Sequence, residues 1–278
     1  MHPYLFEIAG RQIPTWGVVI VTTVIGVILL GNHLAKKDGG YPKDLAFEAA
    51  IIIFSCHTIG GRIGYVRANW GKLDGDWKKV FDITSGGSAF LESFLLIVAV
   101  FAVYLWWRRI PILNLFDLCA TMVPLGQGVG RLACIMAGCC YGRPTDLPWG
   151  MTFTHAETLA RPTGVALHPT QIYEMIWSMG LFAFLLWFRP RRTFRGQVTL
   201  MYFTLFPVLR FINEFFRGDP KRGWFMEDQI GQVLSNPQAI SLMLLVLVAV
   251  GWVVLPRLPG ARDLNLSGAP KPREGDAP

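Results

Sequence analysis

The chain contains seven blocks of about twenty mostly apolar residues, and these blocks restrict its possible folds more than any other feature. We place them at residues 13–34, 46–66, 87–106, 112–136, 169–188, 196–216 and 235–256. An apolar helix of roughly 20 residues crosses about 30 Å of hydrocarbon. Only 16% of the residues are charged, against about 25% in a typical soluble domain. The sequence therefore predicts an all-α, polytopic integral membrane protein with about seven transmembrane helices.

The connections between the blocks carry charges and turn-forming residues, and no internal repeat divides the chain. We expect one transmembrane domain over residues 1–256, followed by a disordered cytoplasmic tail over 257–278 that is rich in Pro, Gly and charge. Dense basic runs such as 189–195 follow the first, third and fifth blocks, and cytoplasmic loops carry an excess of Lys and Arg. The N-terminus is therefore predicted to face outward, with the long connection 137–168 on that same side.

The net charge of +7 at pH 7 has the same explanation, because Lys and Arg concentrate in the connections. Nucleic-acid binding would require basic residues clustered on a soluble module, and the apolar blocks leave no room for one. We expect no nucleic-acid partner.

Three arginines lie inside or at the ends of apolar blocks, namely Arg62, Arg131 and Arg210. An arginine at the centre of a spanning helix costs at least ~2.5 kcal/mol to insert, so it requires a partner, water or a function. One alternative is that the arginines pair with acidic residues and serve only to hold helices together. Glutamates are available in or near the blocks at Glu92, Glu174 and Glu214. We favour a buried anionic ligand, because the planar guanidinium group suits phosphate. The phosphate available at membrane depth is a phospholipid headgroup.

A second pattern follows Arg210. In a continuous helix Arg210, Glu214 and Arg217 would share one face, because residues four and seven apart are neighbours on the helix surface. This spacing predicts a stripe of alternating charge within the membrane domain.

The fifth block begins with the segment His168–Glu174. Pro169 suits the first turn of a helix, which places His168 at the outer interface. Tyr173 and Glu174 then lie further along the helix, where both can form hydrogen bonds inside the bundle. A histidine at this position is more often structural than catalytic, but its polar neighbours favour a role in the site.

Three cysteines, Cys134, Cys139 and Cys140, occur within seven residues. With His155 they could bind a metal, although their spacing matches no standard zinc pattern. Cys139 and Cys140 could alternatively form a redox pair, but adjacent cysteines make a strained disulfide. We favour small packing residues, and we predict no metal and no organic cofactor.

These segments resemble the prolipoprotein diacylglyceryl transferase family of bacterial inner membranes. The resemblance covers about residues 13–256. It is carried by His168–Glu174, by Gly130-Arg131 leading to 142–150, and by the segment 209–217. Gly61-Arg62 and residues 232–235 add weaker support.

The resemblance implies seven spans, a periplasmic N-terminus and a lipid-accessible cavity. It implies transfer of the diacylglyceryl group from phosphatidylglycerol to the lipobox cysteine thiol of a preprolipoprotein signal peptide, with release of glycerol phosphate. Arg131 would hold the phosphatidylglycerol headgroup, and Arg210 would lie near the bond that breaks. Where family members usually carry His or Tyr followed by Gly-Gly, this chain has Leu91-Glu92-Ser93, so Glu92, the substrate or water would take the thiol proton.

The sequence thus yields two sets of candidate site residues. The catalytic candidates are Arg210, Glu214, His168 and Glu92. The substrate-binding candidates are Arg131, Arg62, Gln171, Tyr173, Glu174 and Arg217.

Two other classes of function remain open at this stage. A divergent relative that binds or transports phospholipid would share the fold, although transporters often show paired inverted repeats. A membrane thiol–disulfide enzyme would use Cys139 and Cys140.

Overall fold

The computed structural model describes residues 4–8, 11–38, 41, 44–70, 90–108, 110, 112–155, 158–218, 223–226 and 232–262. Seven helices of 18 or more residues lie within these ranges. They are α1 Thr15–Asp38, α2 Leu45–Asn69, α3 Phe90–Trp107, α4 Ile112–Ala137, α5 Thr170–Phe188, α6 Gln197–Glu214 and α7 Asn236–Val254. Two short antiparallel pairs accompany them, β1 Tyr4–Ile8 with β2 Arg11–Pro14, and β3 Met151–Thr152 with β4 Ala166–Leu167.

Each of the seven helices coincides with one of the apolar blocks. Among the described residues, five helical stretches are long and apolar enough to cross a membrane, namely Gly17–Lys37, Leu45–Arg67, Ile112–Ala137, Thr170–Arg191 and Asn236–Arg257. In α3 the apolar stretch is shorter, Leu95–Trp107. Helix α6 lies outside both sets because Gln197, Arg210, Asn213 and Glu214 reduce its mean hydropathy. The helical class is confirmed, and the count of seven spans remains a prediction.

The distribution of side chains is the reverse of that in a soluble protein. Large apolar side chains cover the outside, including Leu29, Phe54 and Val246 at 66%, 74% and 66% exposure. Polar and charged side chains fill the interior, among them Asn114, Asp117, Gln171, Glu174, Asn213 and Glu214. Apolar side chains are stable against lipid, whereas buried polar groups require partners inside the protein. This arrangement is that of a multi-pass membrane protein.

Helix α4 is the centre of the bundle and packs against α1, α5 and α6. Helix α7 packs on α6, and α3 packs on α2, which also contacts α1. The α2–α3 contact is unusually close at Gly60, where a Cβ atom would lie 2.7 Å from Ser93 Cα. The glycine-rich setting of Arg62 therefore permits close helix packing.

Asp117 of α4 holds the start of α6 from a neighbouring helix. Its two carboxylate oxygens accept hydrogen bonds from the Gly196 and Thr199 backbone N–H groups, both at 2.9 Å, and from Thr199 Oγ1 at 3.0 Å. Arg192 Nε lies 3.8 Å from Asp117 Oδ2, and both side chains are buried. The first N–H groups of a helix have no partner within it, so this carboxylate acts as a cap supplied by α4.

The segment after α7 returns to the bundle before the described residues end. A 3₁₀ turn covers Leu255–Arg257, and the Arg195 backbone N–H donates a 2.8 Å hydrogen bond to Ala261 O. Ala261 packs with Phe194 and Val248. The remainder of the predicted tail, 263–278, lies outside the described residues, as do residues 87–89 of the third apolar block.

Candidate functional site

The candidate site lies at the end of the bundle where α4 ends, α5 begins and α6 ends. The connection 138–169 covers this end, and most residues selected from the sequence meet beneath it. The Asp117 cap lies at the opposite end of α4. The fold therefore places the anchoring of α6 and the candidate chemistry at different ends of the bundle.

Arg131 of α4 forms an ion pair with Glu174 of α5. The Glu174 side chain is 3% exposed and that of Arg131 is 21% exposed. The same guanidinium group donates through NH1 to Cys134 Sγ at 3.6 Å. Because Glu174 binds the NH2 group, the carboxylate orients the guanidinium plane while part of the arginine remains accessible.

A second arginine–glutamate pair lies on α6. Arg210 NH1 is 2.9 Å from Glu214 Oε2, and the Glu214 side chain is fully buried. Asn213, the residue beside Glu214, donates a 3.4 Å hydrogen bond to Glu174 Oε2. This hydrogen bond links the Arg131–Glu174 pair to α6 at the residue next to Glu214, so the two ion pairs lie at the same part of the α5–α6 contact.

The expected charge stripe is correct for Arg210 and Glu214 and wrong for Arg217. Helix α6 ends at Glu214, so Arg217 is not one further turn along the same helix. It instead forms an isolated antiparallel bridge with Gly142 and is 6% exposed. The backbone turns at 215–216, and the spacing of seven residues therefore loses its helical meaning.

Main-chain hydrogen bonds join the connection 138–169 to the end of α6. Gly142 N donates to His168 O at 3.0 Å, His168 N to Arg143 O at 2.9 Å, and Arg143 N to Phe216 O at 2.9 Å. Gly218 N donates to Tyr141 O at 3.2 Å. A Cβ at Gly142 would lie 2.5 Å from His168 O, and one at Gly218 would lie 2.6 Å from Gly142 O. Both positions therefore require glycine, and the resulting segment fixes His168 relative to α6.

His168 belongs to a polar and aromatic group at the start of α5. Its Nδ1 lies 3.2 Å from the Tyr173 hydroxyl, which also accepts a 2.9 Å hydrogen bond from Trp149 Nε1. Phe216 packs against both rings. These residues line a cavity of about 460 Å³ between α5 and α6, together with Leu147, Trp177, Leu209, Ile212 and Asn213.

Partial burial of the His168 imidazole lowers its pKa, and the positive charge of Arg143 lowers it further. The pKa of histidine in an unfolded chain is about 6.5. The folded-state pKa is lower, so the unfolded chain takes up this proton first as the pH falls. His168 is therefore neutral at pH 7 and able to accept a proton.

This shift predicts how stability depends on pH. Between about pH 7.5 and pH 5.5, the melting temperature of the wild-type protein should fall by more than that of His168→Gln, which cannot take up the proton. Thermal unfolding in detergent at both pH values measures the fall in melting temperature for each protein. Other titrating groups contribute equally to both proteins, so the difference between the two falls reports on His168. Equal falls for the two proteins would contradict a lowered pKa at His168.

Gln171 and Thr170 bind the backbone of the connection instead of pointing only to open space. Gln171 Nε2 donates to Cys139 O at 2.7 Å, and Thr170 Oγ1 donates to Cys140 O at 2.6 Å. Gln171 is completely buried. Its observed contact is thus a positioning contact, and a role in substrate binding remains a prediction.

The three clustered cysteines lie beside the arginines. The Sγ atoms of Cys134, Cys139 and Cys140 all lie within 4.8 Å of one another, and His155 is not part of this group. All three are free thiols. Hydrogen bonds from the Cys134 and Cys139 thiols lower the pKa of Cys140, and the positive charges of Arg217 and Arg131 lower it further.

Two candidates lie on a different pair of helices. Glu92 of α3 forms an ion pair with Arg67 of α2. Arg62 of α2 is 9% exposed, and its guanidinium carbon lies 4.9 Å from the centre of the Tyr65 ring. Helix α3 packs on α2, and α2 also contacts α1, so these two candidates lie on other helices than the Arg131–Glu174 and Arg210–Glu214 pairs.

Sequence reasoning missed two contributors to the site, Asn213 and Trp149. Asn213 follows the apolar residues Phe211 and Ile212 and precedes Glu214. The available signal was therefore an asparagine within a spanning block. Trp149 is separated from Tyr173 by 24 residues and belongs to an irregular connection. No periodicity relates those two positions.

Comparison with known proteins adds a separate line of evidence. The family described as prolipoprotein diacylglyceryl transferase matches residues 3–254. A protein of Clostridium tetani named phosphatidylglycerol–prolipoprotein diacylglyceryl transferase is 34% identical over 89% of this chain and 95% of its own length. Proteins of that name from Clostridium perfringens (the copy numbered 2) and Aliivibrio salmonicida are 32% and 31% identical. Those matches cover 88% and 96% of this chain, and 92% and 93% of the relatives.

Proposed function

The chain belongs to the prolipoprotein diacylglyceryl transferase family, and from this premise we propose that it transfers diacylglycerol from phosphatidylglycerol to a cysteine thiol. The acceptor would be the lipobox cysteine of a preprolipoprotein signal peptide, and glycerol phosphate would be released. The observation that carries the proposal is the pair of arginine–glutamate contacts, Arg131–Glu174 and Arg210–Glu214, with Asn213, the neighbour of Glu214, bound to Glu174. Two oriented guanidinium groups in a protein-lined site suit one phosphodiester.

The arginines would act by stabilising charge. The acceptor thiolate attacks the glyceryl carbon that bears the phosphate oxygen, so a sulphur–carbon bond forms as the carbon–oxygen bond breaks. The departing phosphate takes the bond electrons, and its charge rises from −1 to −2. Preorganised donors directed at developing charge are usually the largest contribution to catalysis, and Arg131 and Arg210 occupy that role in our proposal.

The apolar walls of the 460 Å³ cavity suit the glyceryl end of a lipid. Its volume falls in the range of about 300–1,000 Å³ typical of small-molecule sites. His168 and Tyr173 supply polar groups at one side of this cavity. Because His168 is neutral at pH 7, we propose it as the acceptor of the thiol proton. Glu92 is a weaker candidate, since its carboxylate is paired with Arg67.

We further propose that the protein lies in the bacterial inner membrane with seven spans, a periplasmic N-terminus and a cytoplasmic C-terminus. The site would then face the periplasm, where the lipobox cysteine of an exported precursor is accessible. The opposite end carries Arg189, Arg191, Arg192 and Arg195, which supports a cytoplasmic location for that end.

The proposal is tested by transfer of labelled diacylglycerol from phosphatidylglycerol vesicles to a lipobox peptide. We expect transfer by the wild-type protein, a fall of at least about 100-fold in Arg210→Ala, and partial activity in Arg210→Lys, which retains charge without the planar fork. Arg108→Gln, which breaks a more exposed pair with Glu48, serves as the matched control and should retain activity.

Failure of the wild-type protein to transfer the label would overturn the proposal. If that protein nevertheless bound phosphatidylglycerol stoichiometrically, a lipid-binding relative would be the correct reading. Cys139→Ser tests the thiol–disulfide alternative. A redox enzyme would exchange electrons with a dithiol in the wild type but not in Cys139→Ser, and neither protein would transfer diacylglycerol.

A further inference from the structure

The cluster of Cys134, Cys139 and Cys140 lies beside Arg131 of the candidate site. Cys134 comes from the last turn of α4, and the other two thiols come from the turn that follows it. The three Sγ atoms lie within 4.8 Å of one another. In tetrahedral zinc sites the Zn–S distance is about 2.3 Å, which places sulphur atoms about 3.8 Å apart. A contraction of no more than about 1 Å would therefore bring these atoms to metal-binding distances.

The turn that carries two of these thiols is held in place from both sides. Gln171 and Thr170 bind the carbonyl groups of Cys139 and Cys140, and Cys139 N donates to Cys134 O at 3.1 Å. Cys140 has a φ of 59°, a left-handed conformation that is costly for a residue other than glycine. Packing alone does not require a cysteine in that conformation. Its convergence with two other thiols gives a reason for the cost.

The immediate surroundings also suit metal-bound thiolates. Arg131 NH1 donates to Cys134 Sγ at 3.6 Å, and hydrogen bonds of this kind support metal ligands from outside. Three thiolates and one divalent cation carry a net charge of −1, which Arg131 and Arg217 can compensate. A disulfide between Cys139 and Cys140 fits less well, because adjacent Cα atoms lie about 3.8 Å apart and most disulfides need 4.4 Å or more.

We propose that Cys134, Cys139 and Cys140 bind a soft divalent metal, with Zn²⁺ the ion that suits this donor set, and that its fourth position takes the acceptor thiol. A metal held by three protein ligands with one open position is the arrangement of catalytic zinc. The inference rests on the proposed transfer, and it adds a means of activating the sulphur nucleophile. It replaces the packing role favoured from the sequence.

The acceptor S–H loses its proton when sulphur binds the metal, since a coordinated thiol is deprotonated, and the proton passes to His168 or water. The bound thiolate then attacks the glyceryl carbon, forming the S–C bond and breaking the C–O bond. Glycerol phosphate leaves with the electron pair, and the thioether, a weaker ligand, leaves the metal. Activation of the thiol is thereby assigned to the turn after α4, whereas Glu92 of α3 is paired elsewhere.

Metal binding is tested first on the full chain in detergent micelles. Zinc content per chain is measured by mass spectrometry for the wild type and for Cys134→Ser, Cys139→Ser and Cys140→Ser. Cys119→Ser is the matched control, because Cys119 lies on the same helix about 22 Å from Cys134 at 1.5 Å per residue. We expect one zinc per chain in the wild type and the control, and at least a tenfold loss of affinity in each cluster variant.

The open position is tested with Co²⁺ in place of Zn²⁺. Three thiolates should produce a sulphur-to-cobalt charge-transfer band, and a lipobox peptide should change the cobalt d–d bands. The same peptide with Ser in place of the acceptor Cys should leave them unchanged. Thermal unfolding with and without Zn²⁺ identifies any variant that fails to fold, since Zn²⁺ should raise the melting temperature of the wild type and the control only.

The results separate this proposal from the transfer reaction itself. A wild-type protein that binds no zinc, or that holds a disulfide in the cluster, and still transfers diacylglycerol would overturn the metal site and leave the transferase standing. Zinc on the three cysteines with a response to the thiol peptide, but no transfer, would support the site and overturn the proposed function. Zinc bound equally by the cluster variants would also overturn the site.

Discussion

Replacing Arg131 with glutamine is expected to lower diacylglyceryl transfer by about 10²–10³-fold, the usual loss when one preorganised donor to developing charge is removed. The guanidinium group is oriented by Glu174 and borders the cysteine cluster. Glutamine keeps hydrogen-bonding capacity but has no charge with which to stabilise a departing phosphate. The initial rate of label transfer to a lipobox peptide at saturating phosphatidylglycerol measures the change.

The same substitution leaves Glu174 without its arginine in a buried environment, which costs stability as well as activity. The double variant Arg131→Gln with Glu174→Gln removes both charges and should recover much of the melting temperature while remaining inactive. Recovery of activity in the double variant, or nearly unchanged turnover in Arg131→Gln, would show that Arg131 serves only to join α4 to α5.

Replacing Asp117 with alanine is expected to lower the free energy of unfolding by about 3–5 kcal/mol, as when one partner of a buried ion pair is removed. The carboxylate accepts three hydrogen bonds at the start of α6 and lies beside buried Arg192. Its loss leaves those N–H groups without their acceptor and removes the negative charge beside the Arg192 guanidinium group. Denaturant unfolding in mixed micelles, followed by tryptophan fluorescence, measures the change.

Asp44→Ala is the matched control for this effect. Asp44 precedes α2 in the position of a cap, but its side chain makes no capping hydrogen bond and is exposed. Its replacement should change stability by no more than about 0.5 kcal/mol. A similar small effect at Asp117 would mean that α6 is held by packing and not by the carboxylate from α4.

The positions of the helices followed from hydrophobic blocks because insertion of a helix depends on residues close together in sequence. The start of α5 at Thr170, after Pro169, was predicted for the same reason. The end of α6 was not, because the turn after Glu214 depends on main-chain pairing with Gly142, which lies far away in the chain. Apolar residues at 215 and 216 continued the pattern beyond the helix itself.

The members of the candidate site could be selected from sequence, but their partners could not. Arg131 and Glu174 were each conspicuous as charges in apolar surroundings, yet nothing in the spacing relates positions 43 residues apart. Gln171 was selected as a substrate-binding residue, which stays a prediction, whereas its contact with Cys139 O depends on how the connection folds over α5. Arg62 and Glu92 are also charges in apolar surroundings, but the structure places them on α2 and α3, respectively. Charge in a spanning helix therefore indicates a partner without identifying it.

The main-chain bridge around Gly142 and Gly218 has a consequence for how such a protein can diversify. Its hydrogen bonds use backbone atoms, so most side chains in the connection 138–169 can drift over evolution without loosening the link to α6. The two glycines cannot, because any side chain there would overlap a neighbouring backbone. Side chains on the surface that contacts new precursor sequences can therefore change in evolution, while the backbone geometry beneath them is conserved.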